Sequence, residues 1–445
     1  MIKNRAERMR PIVIIGAGIT GCVIAHSLAK RGFKIILIEK CSQIGGLTKT
    51  FRYGDFSFDI GPHRFYTNKP EISNFIRSVL KGNCNTIIRN TGVYFLGKYY
   101  QWPLHPTGIL KLPLNIVAKS GLDLLSSKIK NRKKNPINFE DYILENYGPT
   151  LYNTFFAEYT HKFLGLSPRR THFEWAKEGM KRTIIDERIV SRRLADVFKK
   201  TFRFKPIRTE FIYPKGGINR FCEKLAEEIR RYGGEILVNS HIRDVKYTPK
   251  TIEEIFVNGL SIKPHKMIWT APLDEIYELL QLPFLEELNY LSLLLYNIAI
   301  DRPANKNYQW CYYGNKEVVF SRVSMPNSFD EKMAPKGKTG LCVEVTLREN
   351  GQWWHNPNCL VERITRDLIE VGLIDQLSDI ISIHIEKVSN AYPIYSLNYQ
   401  KDLKKVKERL GKYENFVLAG RTGLFWYNNM DDCIENAFEV ARKIL

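Results

Sequence analysis

The sequence predicts an α/β protein with a parallel sheet, a mostly helical insertion and a separate antiparallel sheet. Three observations predict this class. The first 40 residues follow a strand–turn–helix–strand pattern, and residues 413–445 end the chain with strand, loop and helix. Between them, residues 107–204 have helical apolar spacing, whereas residues 290–325 and 340–348 alternate and are rich in Tyr and Val. The two ends of the chain are therefore expected to share one discontinuous domain.

The first element is an apolar strand that runs directly into a glycine-rich turn. The segment "PIVIIGAGITG" places Gly16, Gly18 and Gly21 in GxGxxG spacing, and a second strand ends at Glu39. This is the arrangement of a Rossmann-like dinucleotide-binding unit. Gly16 allows the tight turn, Gly18 lets the backbone approach a pyrophosphate, and Gly21 lets helix and strand pack closely. Glu39 is expected to accept hydrogen bonds from the ribose hydroxyls.

A second pair of glycines indicates which dinucleotide is bound. Gly45 and Gly46 follow Glu39 after a short spacer. An acid, a spacer and a glycine pair resemble the flavoprotein extension of the fingerprint, which favours non-covalent FAD over NAD as the cofactor. NAD(P)H then remains a candidate external reductant.

The end of the chain carries a second flavin-type pattern. The strand "NFVLAG" leads into a polar and aromatic loop, and an amphipathic helix begins near Asp431. FAD domains of the glutathione-reductase type return in this way, and the helix N-terminal amides there face the flavin. Gly420, Arg421, Met430 and Asp431 are therefore candidate cofactor-binding residues.

Composition restricts the partners. The formal net charge is +20, with basic stretches at residues 128–135 and 192–208, which are interpreted mainly as solvated faces. Zinc-finger, RNA-binding and basic-zipper patterns are missing from the sequence, so nucleic acid is not an expected partner. The basic surface leaves peripheral association with a membrane or a glycan-assembly system open. The sequence does not fix the oligomeric state.

Cysteine usage and hydropathy bear on the compartment. The eight cysteines are scattered without a CxxC pair, which favours reduced thiols and a cytoplasmic location and gives no metal site. The apolar run after the basic N-terminus contains three structured glycines, so it is interpreted as a core strand and helix rather than a leader.

One segment combines a Gly-Pro turn with a histidine, an arginine and aromatic residues. This segment, "GPHRFYTN" (residues 61–68), resembles "GAHIFHTN" of UDP-galactopyranose mutases. Further resemblances to that family follow in the same order along nearly the whole chain: "GKYYQWPLHP", "FFAEYTHKFLGLSP", "YPKGGINRFCEKLAEEI", "WTAPLDEIYELL", "AYPIY" and "GRTGLFWYNNMDDCI". The chain departs from the family at Pro62, at Phe163–Leu164 and in the loop after Leu424. It resembles a side branch of the wider superfamily of amine oxidases and protoporphyrinogen oxidases.

The resemblance implies an activity and roles for particular residues. The activity is FAD-dependent interconversion of pyranose and furanose rings in a nucleotide-diphosphate sugar, through a reduced-flavin N5–sugar adduct. Gly61 would pass close to the flavin ring, His63 would act near its N5 or O4, and Arg64 would face an anionic substrate or the reduced flavin. Alternatively, Arg64 pairs with an acid such as Asp59. The candidate substrate-binding residues are Arg182, Arg322, Tyr392 and Tyr427.

Two other functions stay open from the sequence. A flavin oxidase or dehydrogenase of the amine oxidase or protoporphyrinogen oxidase type would take a hydride from an amine, a porphyrinogen or a polyene. Rab-escort and GDP-dissociation-inhibitor proteins share the fold without catalysis, but Glu39, the glycine pair and Arg421 argue against them. The expected domains are an FAD-binding domain (1–90, 206–275 and 405–445), a helical domain (107–204) and a sheet substrate domain (91–106 and 276–404).

Overall fold

The computed structural model describes residues 10–102, 112–127, 135–183, 209–283 and 286–444. The basic stretches at 128–134 and 192–208 lie outside the described residues. The strands are β1 (Ile12–Ile15), β2 (Ile35–Ile38), β3 (Thr50–Tyr53), β4 (Phe56–Asp59), β5 (Cys84–Ile88), β6 (Thr91–Phe95), β7 (Lys98–Trp102), β8 (Glu210–Pro214), β9 (Glu235–Leu237), β10 (Ile242–Tyr247), β11 (Ile252–Val257), β12 (Leu260–Ile262), β13 (Lys266–Trp269), β14 (Tyr290–Ile300), β15 (Trp310–Tyr313), β16 (Arg322–Ser324), β17 (Thr339–Leu347), β18 (Ile380–Pro393) and β19 (Phe416–Leu418).

The helices connect these strands and form most of the described part of the predicted helical insertion. They are α1 (Ile19–Ala29), α2 (Pro70–Leu80), α3 (Leu114–Ser127), α4 (Phe139–Leu151), α5 (Ala157–Leu164), α6 (Phe173–Thr183), α7 (Arg220–Arg231), α8 (Leu273–Leu279), α9 (Gln352–His355), α10 (Val361–Glu370), α11 (Tyr399–Leu410), α12 (Gly420–Gly423) and α13 (Met430–Ile444). Among the described residues, none of these helices has both the length and the hydropathy needed to cross a membrane.

The parallel sheet joins the two ends of the chain. Its five strands lie in the order β19-β13-β1-β2-β9, and every pair is parallel. Strands β1 and β2 are apolar and fully buried, as strands covered on both faces must be. Helix α1 is buried on nearly all sides between α7 and α13, which explains why it lacks a polar face. The predicted Rossmann-like fold with a C-terminal return strand is confirmed.

The second sheet has seven strands in the order β18-β14-β17-β16-β15-β6-β7. The sequence predicts this sheet as antiparallel, and one pair differs: β6 and β15 run parallel. These two strands come from segments more than 200 residues apart, so no hairpin constrains their direction. Strands β6 and β7 join the same sheet as β14 to β18, although the boundaries between domains stay a prediction.

A short hairpin carries the segment with the Gly-Pro turn to the region between the two sheets. Strands β3 and β4 pair antiparallel, and β4 ends at Asp59. The buried Asp59 carboxylate accepts hydrogen bonds from Thr50 Oγ1 (2.7 Å), Tyr213 Oη (2.6 Å) and the Ile218 amide (3.2 Å). Burial raises the pKa of Asp59 to about 6, and these donors oppose that rise. This network fixes the start of residues 61–64 against the glycine turn that precedes α7.

Candidate functional site

The glycine-rich turn and the glycine pair meet at the N-terminus of α1. Gly18 and Gly45 form a parallel bridge, and the Gly45 amide donates to Ala17 O at 2.8 Å. A Cβ atom at Gly46 would lie 3.1 Å from Gly18 Cα, so the two backbones are in close approach. A Cβ atom at Gly18, by contrast, would meet only Gly46 Cα, at 3.9 Å. The flank of Gly18 is therefore open on the side away from Gly46.

The other two glycines of the fingerprint are enclosed by protein. Gly16 has φ +95°, and a Cβ atom there would lie 2.4 Å from Thr270 Oγ1. A Cβ atom at Gly21 would lie 1.9 Å from Gly16 O. Gly16 therefore needs the left-handed region and Gly21 needs close packing, whereas Gly18 alone borders open space. This geometry is what the proposed pyrophosphate site requires.

Glu39 lies at the end of β2 with its side chain directed at the turn. It is buried, and its two carboxylate oxygens accept from the Ala17 amide (2.9 Å) and the Cys41 amide (3.0 Å). Each carboxylate oxygen has two lone pairs, so both retain capacity to accept from a ribose hydroxyl.

The C-terminal candidates surround the same turn. Gly420 has φ +75°, and a Cβ atom there would lie 3.1 Å from Thr20 Oγ1 on α1. The Arg421 guanidinium donates to Asn428 O (3.0 Å) and Ala391 O (2.9 Å), so it joins this loop to the end of β18. Met430 begins α13, and burial together with Asp432 raises the pKa of Asp431 to about 6.

His63 lies where the fingerprint end of the parallel sheet meets the second sheet. Gly61 has φ +65°, and a Cβ atom there would lie 2.6 Å from Glu344 Oε1, so only glycine fits this turn. Burial, assisted by Arg322, Arg421 and Arg64, lowers the pKa of His63 to about 3. The imidazole is therefore neutral, and an anion bound beside it would offset the arginine charges.

Arg64 does not pair with Asp59, whose oxygens are taken by Thr50, Tyr213 and Ile218. Its guanidinium carbon lies instead 4.8 Å from the ring centroid of Trp310 and 5.1 Å from that of Phe211, in cation–π geometry. Asp59 is therefore not the ion-pair partner of Arg64, whereas the charge of Arg64 does oppose the rise in the pKa of Asp431. The Arg64 guanidinium therefore packs on aromatic side chains of β8 and β15.

Arg322 is held in a bidentate ion pair that the sequence did not predict. Its Nε and Nη2 atoms donate to the two oxygens of Glu344 at 2.5 and 2.6 Å, and Nη2 also donates to Tyr392 Oη at 3.0 Å. Arg322 and Glu344 lie directly opposite on β16 and β17. The carboxylate is fully buried and the guanidinium is partly exposed, with side-chain exposures of 1% and 15%.

Aromatic side chains form a wall beside these arginines. Tyr427 stacks on Trp175 with ring centroids 4.2 Å apart, and Tyr392 makes an edge contact with Phe163 at 5.1 Å. The Arg421 guanidinium carbon lies 4.9 Å from the ring of Tyr392 and 5.0 Å from that of Tyr427. Arg322, Tyr392 and Tyr427, three of the candidate substrate residues, are thus brought close to Arg421.

Three residues of this region were missed by the sequence analysis. They are Tyr159, whose ring lies 5.9 Å from that of Tyr312, together with Trp175 and Glu344. Tyr159 falls within a segment matched to the mutases, so that match was an available signal. Arg182 lies in the last turn of α6, and its side chain is outside the part of the chain that is described.

The residues at this end of the sheet fit a flavin dinucleotide. The open flank of Gly18 provides room for a pyrophosphate, and Glu39 provides ribose acceptors. Two buried polar atoms, His63 Nδ1 and Asn428 Nδ2, have no hydrogen-bond partner within the described ranges. Buried polar groups are nearly always paired, so unpaired atoms here indicate a ligand that would satisfy them.

The fold and this site define a protein with a Rossmann-like parallel-sheet domain and a second sheet, with a cluster of arginines and aromatic side chains around His63. A family described as "NAD(P)-binding Rossmann-like domain" matches residues 14–79. The chain is 29% identical over 175 residues to dTDP-fucopyranose mutase of Escherichia coli, covering 36% of this chain and 43% of that protein. It is 28% identical over 163 residues to a probable UDP-galactopyranose mutase of Klebsiella pneumoniae, covering 35% and 41%. The match therefore spans less than half the length of either mutase.

Comparisons over longer stretches agree on the fold. A crystal structure of reduced UDP-galactopyranose mutase superposes with a TM-score of 0.83 at 20% identity, covering 98% of this chain and 95% of that one. A putative protoporphyrinogen oxidase from Exiguobacterium gives 0.77 at 16% identity, covering 98% of both chains. The 4,4'-diapophytoene desaturase of Staphylococcus aureus (strain COL) is 22% identical over 399 residues, covering 75% of this chain and 74% of that one. The predicted resemblance to the mutases is confirmed, and the fold is shared with the protoporphyrinogen oxidase structure.

Proposed function

We propose that this chain is an FAD-dependent nucleotide-sugar mutase that interconverts pyranose and furanose forms. The observation that carries the proposal is the place of His63. It lies near Arg64, Arg322 and Arg421, and the rings of Tyr392 and Tyr427 pack on the Arg421 guanidinium. Such a cluster of charges and rings suits a ligand with a diphosphate and a ring, because guanidinium groups bind phosphate oxygens and aromatic faces pack against sugar or base. The mutases named above support this substrate class.

The chain's own residues have distinct tasks in this proposal. The cradle at Gly18 and the N-terminus of α1 hold the FAD pyrophosphate, and Glu39 holds its ribose. Reduced FAD supplies the nucleophile for the sugar carbon that releases the nucleotide. Arg322 and Arg421 neutralise the diphosphate, while Tyr392 and Tyr427 orient it. His63, neutral and half-buried, donates or accepts one hydrogen bond beside the flavin. NAD(P)H serves as a candidate external reductant.

The second candidate is a flavin oxidase or desaturase. The desaturase match, which covers 75% of this chain, favours it. A polyene carries no charge that these arginines could bind, and burying it beside them would remove water from the guanidinium groups with no new polar partner in exchange. The three arginines near His63 therefore favour an anionic substrate over a polyene, and the mutase proposal has the better physical support.

The deciding experiment starts with the spectrum of the purified protein. We expect flavin bands near 370 and 450 nm, which are general to flavins. Dithionite-reduced protein is then incubated with UDP-, dTDP- and GDP-sugars, and the products are separated by chromatography. We expect isomerised sugar nucleotide without net consumption of reductant. Bleaching of the oxidised flavin by an amine, a polyene or a porphyrinogen, with no sugar nucleotide turned over, would replace this proposal with the oxidase.

His63→Ala is expected to retain FAD and to lose turnover by roughly 100-fold, which is the usual effect of removing one preorganised polar group from an active site. The imidazole contributes to the chemistry rather than to the cradle, so the flavin content should stay stoichiometric. The measurements are kcat on the active sugar nucleotide and the flavin-to-protein ratio.

The matched control for this prediction is His161→Ala. His161 is an exposed histidine on α5, and its loss should change neither quantity. Full turnover in His63→Ala would remove His63 from the proposed mechanism.

A further inference from the structure

Lys162 lies next to the candidate substrate site and donates all its hydrogen bonds to one loop. It lies on α5, between Tyr159 and Phe163 of the aromatic wall, and its side chain is partly buried. Its Nζ atom donates to three backbone carbonyls of the β15–β16 loop, Asn315 O (3.0 Å), Val318 O (3.1 Å) and Phe320 O (2.8 Å). An ammonium group has three N–H donors, so all of its donors are used within this loop.

The loop that Lys162 contacts leads directly into the strand of Arg322. Phe320 O is two residues before Arg322, and Tyr313 N donates to Ser321 O at 2.9 Å to close the loop. The Val319 amide donates to Asp367 Oδ2 on α10 at 2.8 Å. The loop is therefore held from two sides, by Lys162 on α5 and by Asp367 on α10.

We infer that Lys162 is a positioning residue that fixes the distance between the aromatic wall and Arg322 at the candidate substrate site. The same helix carries Tyr159 and Phe163, which contact Tyr312 and Tyr392, so Lys162 joins the wall of the cavity to its cationic strand. Loss of the ammonium would free the loop and let Arg322 move relative to the wall. The inference rests on the proposed function for its ligand, a nucleoside diphosphate.

The charge state of Lys162 provides a readout. Burial lowers the pKa of Lys162 to about 8, opposed by Asp367 on α10, Glu158 on α5 and Glu317 in the loop. Above that pH the neutral amine has two donors for three carbonyls. The affinity for UDP, used as the probe, is expected to fall by about fivefold between pH 7 and pH 9, because most of the chains lose the ammonium and the neutral form binds about tenfold more weakly.

The contribution of Lys162 to the free energy of unfolding is expected to rise with pH, whereas the UDP affinity falls. The pKa of Lys162 is lower in the folded chain than the ordinary lysine value of 10.5, so the unfolded chain binds more protons between about pH 8 and 10.5. The contribution of Lys162 to the free energy of unfolding therefore rises with pH in this window. A loss of UDP affinity in this pH window therefore cannot result from unfolding caused by Lys162. The pH dependence thus distinguishes a positioning role of Lys162 from a general effect on stability.

The experiment compares wild type, Lys162→Met and the control Lys177→Met, an exposed lysine on α6. Calorimetry gives the UDP affinity from pH 7 to 9, and hydrogen exchange follows the peptide covering residues 314–321. We expect Lys162→Met to bind UDP about tenfold more weakly at pH 7. The ratio of the UDP affinity of Lys162→Met to that of the Lys177→Met control should rise towards pH 9, because Lys162 in the control protein loses its proton over this range. Exchange in residues 314–321 should be faster.

Three results would overturn the inference: unchanged exchange in Lys162→Met, faster exchange with unchanged UDP affinity, or a pH profile identical to the control. If Lys162→Met fails to fold, the wild-type pH profile and Lys162→Arg, which keeps the charge above pH 9, decide the question. Wild-type protein that binds no nucleoside diphosphate contradicts the proposed function. Hydrogen exchange then still tests whether Lys162 holds the loop.

Discussion

Gly18→Val is expected to abolish FAD binding while leaving the fold intact. Gly18 has φ −72° and ψ −177°, which valine adopts without strain. A Cβ atom there meets only Gly46 Cα, at 3.9 Å, so the protein itself tolerates the added carbon. The open flank is the space that the pyrophosphate needs, and a branched side chain would fill it. The measurements are the flavin-to-protein ratio and the circular dichroism spectrum.

The control for this prediction is Gly121→Val. A Cβ atom at Gly121 would meet nothing within 4 Å, and Gly121 is exposed on α3, so this variant should keep its flavin. Gly21→Ala would be a poor alternative to Gly18→Val, because its Cβ atom would overlap Gly16 O at 1.9 Å and disturb the fold itself. A folded Gly18→Val protein with stoichiometric FAD would show that the dinucleotide lies elsewhere.

Arg322→Met is expected to destabilise the protein by about 3–5 kcal/mol, because it leaves the buried carboxylate of Glu344 without its bidentate partner. Glu344 is 1% exposed, and both of its oxygens accept from Arg322. The measurement is the fall in the thermal and urea midpoints relative to wild type. The affinity for UDP should fall as well, by roughly tenfold to 100-fold, if Arg322 also contacts the diphosphate.

A double variant separates these two effects. Arg322→Met/Glu344→Leu replaces the ion pair with apolar groups, which is often neutral for stability, so the midpoints should recover while UDP affinity stays low. Arg169→Met is the matched control, because Arg169 also forms a bidentate pair, with Glu140, but its side chain is 76% exposed. Its loss should leave the midpoints nearly unchanged, because exposed ion pairs contribute little to stability. Recovery of both stability and affinity in the double variant would exclude Arg322 from the substrate site.

Much of the parallel sheet, with the candidate cofactor site at its edge, could be predicted from local sequence. The order of strand, GxGxxG, helix and terminal acid predicts β1, α1, β2 and Glu39 in their observed places. Local patterns suffice here because an apolar strand and positive φ values are properties of neighbouring residues. The C-terminal strand β19 was predicted from the same kind of pattern, and it lies beside β13 in the parallel sheet.

The substrate half was less predictable, because its contacts join residues far apart in the chain. Strand β18, an edge strand of 14 residues, was not predicted, nor was the parallel pairing of β6 with β15. Arg64 was considered as a partner of Asp59, only five residues away, and the structure places it on Trp310 instead. Long-range strand pairing decides such contacts, and no local window of sequence contains it.

The sequence by itself determined the glycine turn and the acid at the end of β2, because Gly16, Gly18, Gly21 and Glu39 belong to one short strand–turn–helix–strand segment whose pattern is local. Only the tertiary structure decided that Arg322 pairs with Glu344 and that Arg64 packs on Trp310. The register of β16 on β17 places Arg322 opposite Glu344, and the approach of α5 to the β15–β16 loop gives Lys162 its three carbonyl partners. The role of a partly buried charge depends on the residues that folding places next to it. Desolvation and ion pairing act over a few ångströms in space, whatever the separation of the residues in sequence.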